Sequence, residues 1–332
     1  MESSIYRKIF RDIVRGWSKI SIDESFFYIK HLSSLDQVEI DDIRDEYLSQ
    51  AIKRGIPRQS EILETLKTDG LWTEKEELEI SRQEQFIESA QKNKSQLVLK
   101  SKIDQQNQAI QEARQKINEL KNKKNELMGI NAESYADKRS NDYYIIKSFY
   151  EDSELKNPLF PEERDYNELY SEDVAKFINA YNQAFVMFEE LKIQEMILQD
   201  FYYIYFPFSD DTVGFFGNPV CHLTYNQLKL IVYTKIFKNI FENNQHIPEK
   251  IKKDPQALLD YGSISNEAKD KIKDLAESNK DGSTLFGATD EDYEYAGLTK
   301  PSEKPGISLQ DAAKKKGGSL SMQDLMQLSG HK

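Results

Sequence analysis

The residue types that most often carry chemistry are scattered along this chain of 332 residues. The histidines His31, His222, His246 and His331 stand alone, with no cysteine or acidic residue at the spacing of metal ligands. The sequence also lacks a phosphate-binding loop, a dinucleotide-binding fingerprint and a nucleophile elbow. The single cysteine, Cys221, is interpreted as a small buried apolar residue rather than a nucleophile.

Adjacent acidic residues are the remaining candidates for acid–base catalysis. They occur as Asp41–Asp42, Glu162–Glu163 and Asp210–Asp211. Because 31% of the residues are charged, such pairs are expected by chance, and most lie on solvated faces. The sequence therefore predicts no catalytic residue, no cofactor and no metal site, and it favours a protein that is not an enzyme.

Composition limits the function classes further. The net charge of -12 argues against general binding to nucleic acid phosphates, which depends on Lys and Arg. An aromatic content of 11% indicates that real cores exist, although only 38% of the residues are hydrophobic. One cysteine fits a reducing cytoplasm, and no run of apolar residues is long enough to predict a transmembrane helix or a secretory signal.

The stretch from Thr73 to Met128 contains no Gly or Pro and predicts a long helix. Thr73 and Glu76 form a capping box at its start, and Gly129 is the expected C-cap. Its second half carries the alternating three- and four-residue steps of a coiled-coil seam. The predicted protein-interaction residues of this seam are Leu99, Ile103, Ile110, Ile117, Leu120 and Leu127.

Two features of this segment stay open. It is either one helix of about 84 Å or a hairpin that turns within Gln91–Gln96, and the lack of Gly, Pro or Asp there favours one helix. The seam contacts either the protein's own core, a second copy or a partner helix. The first half has a weaker apolar stripe and is interpreted as a connector; the stripe consists of Leu78, Phe86, Ala90 and Leu97.

The segments on either side are also predicted to be helical. Residues 1–70 form several short helices: the first is basic, and a second follows Asp23. The acidic run Asp36–Asp42 is interpreted as a connection between helices. Residues 130–262 form an aromatic-rich core domain whose strongest buried stripe lies within 171–191. The run FYYIYFPF at 201–208 is assigned to core packing, because its flanking residues are carboxylates rather than the cations that base stacking requires.

Composition changes sharply near the C-terminus. Residues 263–332 predict a weak helix followed by a disordered tail with two short apolar islands, at 284–298 and 319–330. These islands are either partner-binding segments or incidental hydrophobic residues. Their candidate protein-interaction residues are Phe286, Tyr293, Tyr295, Leu320, Met322, Leu325, Met326 and Leu328.

The expected fold class is all-α: a multi-helix core, a long central coiled-coil-like helix or helical hairpin, and a disordered C-terminal tail. Four parts are predicted, at 1–70, 71–129, 130–262 and 263–332.

One stretch carries a resemblance. The segment FFGNPVCHLTYNQLKLIVYTKIFKNIFENN (215–244), together with the helix that begins near DGLWTEKEE, resembles structural or assembly proteins of tailed bacteriophages over about residues 60–245. The resemblance implies a role in virion or tail assembly, with the helix and the tail contacting other virion components. It implies a location in the host cytoplasm and in the virion, and it assigns no functional residue.

The leading hypothesis is a non-enzymatic assembly, scaffolding or adaptor protein whose partners are other proteins or a second copy of itself. The alternative is a nucleic-acid-associated protein that uses the basic N-terminal helix and the tyrosine-rich faces. An enzyme without a recognisable motif is the third hypothesis.

Overall fold

The structure is a computed structural model that describes residues 2–97, 99–162, 165, 168–244, 247–264 and 292. Most of these residues are helical, which confirms the predicted fold class, and three short strands form one small sheet. The predicted disordered tail lies outside the described residues from 265 onward, apart from Asp292.

The helices alternate with short connections along the chain. They are α1 Glu2–Arg15, α2 Ser34–Lys53, α3 Gln59–Thr68, α4 Glu74–Lys94, α5 Lys100–Met128, α6 Ala132–Lys147, α7 Ser171–Phe185, α8 Glu190–Ile197, α9 Thr212–Phe216, α10 Tyr225–Asn243, α11 Glu249–Lys252 and α12 Pro255–Ser263. The strands are β1 Trp17–Ile22, β2 Ser25–Lys30 and β3 Phe149–Tyr150, in the order β1-β2-β3 with both pairs antiparallel. Three 3-10 helices lie at Val186–Phe188, Asp200–Asp210 and Val220–His222.

The prediction of a helix after Asp23 is wrong, because this part of the chain forms the β1–β2 hairpin. Gly16 ends α1 with a φ of +74°, a left-handed conformation that Gly adopts without steric cost, so Trp17 begins a strand instead of extending the helix. Asp23 and Glu24 then have φ values of +46° and +68°. Positive φ at both central residues matches the twist of a two-residue hairpin turn.

The acidic run Asp36–Asp42 is not a connection but lies within the first turns of α2. Ser33 caps this helix in a capping box with Asp36. Carboxylates near a helix N-terminus are stabilised by the partial positive charge there, which explains why the run is helical.

The preference for one continuous central helix is also wrong, since α4 and α5 form an antiparallel hairpin. The chain reverses between the end of α4 and the start of α5, where Leu99 has extended backbone angles. Each helix carries one apolar stripe, and pairing the two stripes buries both without a partner. Leu97 packs against the main core just beyond the reversal.

Three apolar clusters hold the elements together. The main core joins α1, α8, α10, α12 and the start of α5, with Ile13, Ile197 and Phe237 fully buried. A second cluster lies inside the α3–α4–α5 unit around Trp72. A third lies between the sheet, α6 and α7, around Phe149.

The stripe predicted over 171–191 is broken rather than continuous. The chain passes from α7 through a 3-10 turn into α8. No side chain of α7 is fully buried, and the stripe residue Leu191 is exposed, whereas Phe188 is buried. The aromatic run that follows is a 3-10 helix, and Tyr202 is buried in the main core, where its hydroxyl lies 2.8 Å from Thr234 Oγ1. The predicted cap at Thr73 is confirmed, and the side chains of Asn131, Thr224 and Asp254 cap α6, α10 and α12. Cys221, which was interpreted as a buried apolar residue, is exposed.

Candidate interaction surfaces

The predicted seam residues are buried or half-buried within this chain, and half of them pack inside the α3–α4–α5 unit. Ile103, Ile110 and Ile117 are buried, whereas Leu99, Leu120 and Leu127 are half-buried. Ile103 belongs to the main core, and Ile117, Leu120 and Leu127 belong to the Trp72 cluster. The own-core alternative therefore describes the packing of this chain, and contact of these residues with a partner stays a prediction.

Residues of α4 that the sequence interpretation missed complete the seam. Ile80 and Ile87 belong to the Trp72 cluster, and they are seven residues apart, the repeat of a coiled-coil seam. The stripe expected on α4 was partly wrong: Ala90 is buried, but Leu78 and Phe86 are exposed. The seven-residue step from Ile80 to Ile87 was the available signal.

Lys124, which lies between the seam residues Leu120 and Leu127, belongs to a polar cluster. Lys124 pairs with Glu77 at 2.5 Å and lies 5.8 Å from the ring centre of Trp72. Trp72 is fully buried, and its Nε1 donates a hydrogen bond to Glu77 Oε1 at 2.8 Å. Two further ion pairs join α4 to α5, namely Glu79–Lys116 and Glu84–Lys121. These pairs fix the register of the hairpin.

The turn end of the hairpin is attached to the body of the protein. Lys94 Nζ donates to Asp260 Oδ1 of α12 at 2.6 Å and to Asn107 Oδ1 at 3.0 Å. Asn107 and Gln256 donate to the same carboxylate at 2.7 and 2.9 Å. Since α3 packs against α5 near its other end, the hairpin is held at both ends rather than projecting as a free arm.

One residue of the predicted tail island 284–298 also contacts this end. Asp292 is buried, and its carboxylate accepts hydrogen bonds from the backbone N–H and the hydroxyl of Ser101 at 2.7 and 2.9 Å. These contacts cap α5, whose N-cap residue Leu99 forms no side-chain cap. The other predicted tail residues lie outside the described part of the chain; they are Phe286, Tyr293, Tyr295, Leu320, Met322, Leu325, Met326 and Leu328.

The outer side of α4 presents two large apolar side chains to solvent. Leu78 is 56% exposed and Phe86 is 44% exposed. At 100° per residue, Leu78 lies nearly opposite the buried Ile80, on the side away from α5. We call these two residues the outer face of the hairpin.

A second surface is a groove between α1, the β1–β2 hairpin and α7, with a volume of about 520 Å³. Its charged side chains are Lys8, Arg11 and Lys19, and among the described residues no acidic side chain lines it. The exposed ring of Phe26 stands at its edge, with Lys19 Nζ 4.1 Å from the ring centre. We call this cavity the basic groove. The basic character of α1 was predicted, but the strand residues that complete the groove were not.

A buried serine–histidine pair lies below the basic groove. Ser18 Oγ and His31 Nε2 are 2.8 Å apart, and both residues are buried. Catalytic pairs of this kind need a third group on the other ring nitrogen, but His31 Nδ1 has no hydrogen-bond partner within the described chain. Burial lowers the pKa of His31 to about 3, so the ring is a weak base at neutral pH. The pair joins β1 to the residue after β2.

The acidic residue Asp12 lies close to this pair. It lines a smaller cavity of about 110 Å³ together with Ser18, and burial raises the pKa of its carboxyl. Its carboxylate accepts a hydrogen bond from Arg11 Nε at 2.9 Å, which orients the guanidinium beside the basic groove. Asp12 therefore acts as a positioning contact for Arg11, while its own carboxylate does not line the basic groove.

Within the described ranges, no three His, Cys, Asp or Glu side chains lie close enough to hold a metal ion, and no helix has the length and apolar content needed to cross a membrane. Comparisons of the chain with models of protein families, with curated protein sequences and with solved structures found no match. The geometry of the two surfaces therefore carries the functional proposals.

Proposed function

We propose that this chain is a non-enzymatic assembly or adaptor protein that holds another protein against the outer face of its hairpin. The observation that carries the proposal is the exposure of Leu78 and Phe86 on a helix whose opposite side is buried. Large apolar side chains in solvent lower the free energy of association when a partner covers them.

The attachment of the hairpin supports this role. The Lys94–Asp260 pair holds the turn end, and the Trp72 cluster packs α3 against the other end of the hairpin. The outer face is thus presented by a supported helix pair. A surface that is already ordered loses less conformational entropy on binding than a flexible one.

The narrower form of the proposal concerns the partner. The resemblance of residues 60–245 to assembly proteins of tailed bacteriophages suggests that the partner is a virion or tail component. Under that proposal the chain acts in the host cytoplasm and in the virion. Self-association through the same face is the alternative occupant.

Two charge-introducing variants test the role of the outer face. Leu78→Asp and Phe86→Asp place a carboxylate on an exposed position, so circular dichroism should show an unchanged helix content. The matched control is Asn122→Asp, which adds the same charge at an exposed position of α5. Light scattering reports self-association, and affinity capture reports binding of a partner. We expect the two outer-face variants to lose a complex that the control retains.

One specific result would contradict the proposal. If wild type, the outer-face variants and the control all show the same oligomeric state and the same bound proteins, the outer face is an ordinary exposed surface. The seam substitutions Ile110→Asp and Ile117→Asp cannot replace this test, because both side chains are buried and their replacement unfolds the hairpin.

A further inference from the structure

The basic groove has a local charge opposite to that of the whole chain. The protein carries 57 acidic residues against 45 lysines and arginines, yet the described side chains that line this cavity include three cations and no acid. Lys8 forms no ion pair with any described residue, and Lys19 contacts aromatic rings rather than a carboxylate. Lys8 and Lys19 are therefore available to an external anion, and Arg11, which Asp12 holds through Nε and Nη2, is still 47% exposed.

Local geometry keeps the three cations together. Lys8 and Arg11 are three residues apart and lie on one side of α1, about 4.5 Å apart along the helix axis. Lys19 reaches the groove from β1, whose position is fixed by pairing with β2. Ala180 and Ala184 form the opposite wall one helical turn apart, and their short side chains leave the cavity open.

An aromatic ring accompanies the cations. Phe26 is 61% exposed at the edge of the groove, although a phenylalanine in a strand is normally covered by its neighbours. Lys19 lies over this ring, and Gln183 adds an amide that can donate and accept hydrogen bonds. Cations beside an exposed aromatic ring are the combination that single-stranded nucleic acids require: the cations contact phosphates and the ring stacks on a base.

We propose that the basic groove binds a short stretch of single-stranded nucleic acid, with Lys8, Arg11 and Lys19 on the phosphates and Phe26 stacked on a base. The size of the groove limits the contact to a few nucleotides. An acidic peptide would satisfy the cations but would gain little from Phe26, so the exposed ring favours nucleic acid. This binding goes beyond the adaptor function and uses a different face of the protein.

The electrostatic part of the proposal predicts a salt dependence. Neutralising about three phosphates of a single strand gives a slope of about -2 in a plot of log K against log salt. Between about 50 and 200 mM salt, the affinity should fall roughly 20-fold. A slope of this size is modest, because only about three phosphates are neutralised.

The test is fluorescence anisotropy of a labelled oligothymidylate with the full chain and three variants. Lys8→Glu and Lys19→Glu reverse one groove charge each, and Lys123→Glu makes the same charge change at an exposed site on α5. We expect each groove variant to reduce the affinity at least tenfold and to flatten the salt slope by about 0.7. The Lys123 variant should bind like wild type.

A second pair of variants separates stacking from charge. Phe26→Ala should weaken binding about tenfold at every salt concentration, and Phe26→Tyr should restore it, because base stacking depends on the ring and not on salt. Three results would overturn the proposal: no binding at about 50 mM salt, equal loss in the Lys8 and Lys123 variants, or polyglutamate competing as strongly as the oligonucleotide. The last result would assign the groove to an acidic peptide instead.

Discussion

Replacement of His31 with glutamine should remove a defined part of the protein's sensitivity to acid. His31 is fully buried between the rings of Phe185 and Phe188, at centre-to-centre distances of 5.3 and 4.7 Å. Burial lowers the pKa of His31 to about 3, from an ordinary value of 6.5. The folded protein therefore keeps this ring neutral at pH values where the unfolded chain protonates it.

The sign and size of the effect follow from this difference. Because the unfolded state binds the additional proton, the free energy of unfolding is highest above pH 6.5 and falls as the pH drops from 6.5 towards 3. The loss is about 1.4 kcal/mol per pH unit in that window, which gives about 2 kcal/mol at pH 5.

Urea denaturation at pH 7.5 and pH 5, followed by circular dichroism, measures this loss. Wild type should lose about 2 kcal/mol more than His31→Gln, since the amide can still bond to Ser18 but does not titrate. His222→Gln is the matched control, because His222 is exposed and its replacement should leave the wild-type pH dependence unchanged. An identical pH dependence in wild type and His31→Gln would refute the reasoning, and with it the assignment of His31 as a buried neutral ring.

Three further predictions concern packing and backbone geometry. Lys94→Ala should lower the free energy of unfolding by about 3 kcal/mol in urea denaturation, because it leaves the buried Asp260 carboxylate without its cation. The double variant with Asp260→Asn should recover part of this loss. Full stability of Lys94→Ala alone would contradict the attachment of the hairpin. Ile117→Ala should cost about 2–5 kcal/mol through a cavity in the Trp72 cluster, whereas Leu78→Ala should change the stability by less than about 0.5 kcal/mol. Equal effects in thermal melts would show that the inner and outer sides of the α4–α5 hairpin are assigned incorrectly. Replacing Asp23–Glu24 with Asn–Gly should stabilise the β1–β2 hairpin by about 0.5–1 kcal/mol and raise the melting temperature, because both positions have positive φ. A lower melting temperature of this variant would argue against the turn.

Local signals in the sequence were sufficient for the helix ends. Thr73 and Glu76 form the predicted capping box, and the same motif occurs as Thr224 and Gln227 at the start of α10. Asp254 caps α12 with Pro255 as its first residue. Each of these motifs involves residues within one turn of helix, so no distant contact is needed to recognise it.

The elements that the sequence did not reveal depend on distant contacts or on uncommon residue types. The turn between β1 and β2 uses Asp23 and Glu24, whereas Asn–Gly is the usual signal for a turn with two positive φ values. The described residues of the reversal between α4 and α5 include no Gly or Pro. At this reversal, Leu97 packs in the main core and Lys94 pairs with Asp260. Lys94 and Asp260 are 166 residues apart, and a single sequence does not show such a pairing.

The candidate surfaces were predictable to different degrees. The basic side chains of α1 were visible in the sequence, but the groove needed Lys19 and Phe26 on strands that had been predicted as helical. The seam of α5 was recognised in the sequence. Its burial within the hairpin became evident only from the structure, which places the α4 residues Ile80 and Ile87 opposite it. Because Ile80 and Ile87 pack towards α5, Leu78 and Phe86 on the other side of α4 are exposed.

Site-specific photo-cross-linking is the most direct test of the central claim that the outer face contacts another protein. A benzophenone side chain is introduced at Leu78 or Phe86, and at Asn122 as an exposed control position on α5. After irradiation in the native cellular context, mass spectrometry identifies the attached chain. We predict one and the same protein attached at positions 78 and 86 and absent at 122. No cross-link at 78 and 86, or the same products at all three positions, would contradict the proposed function.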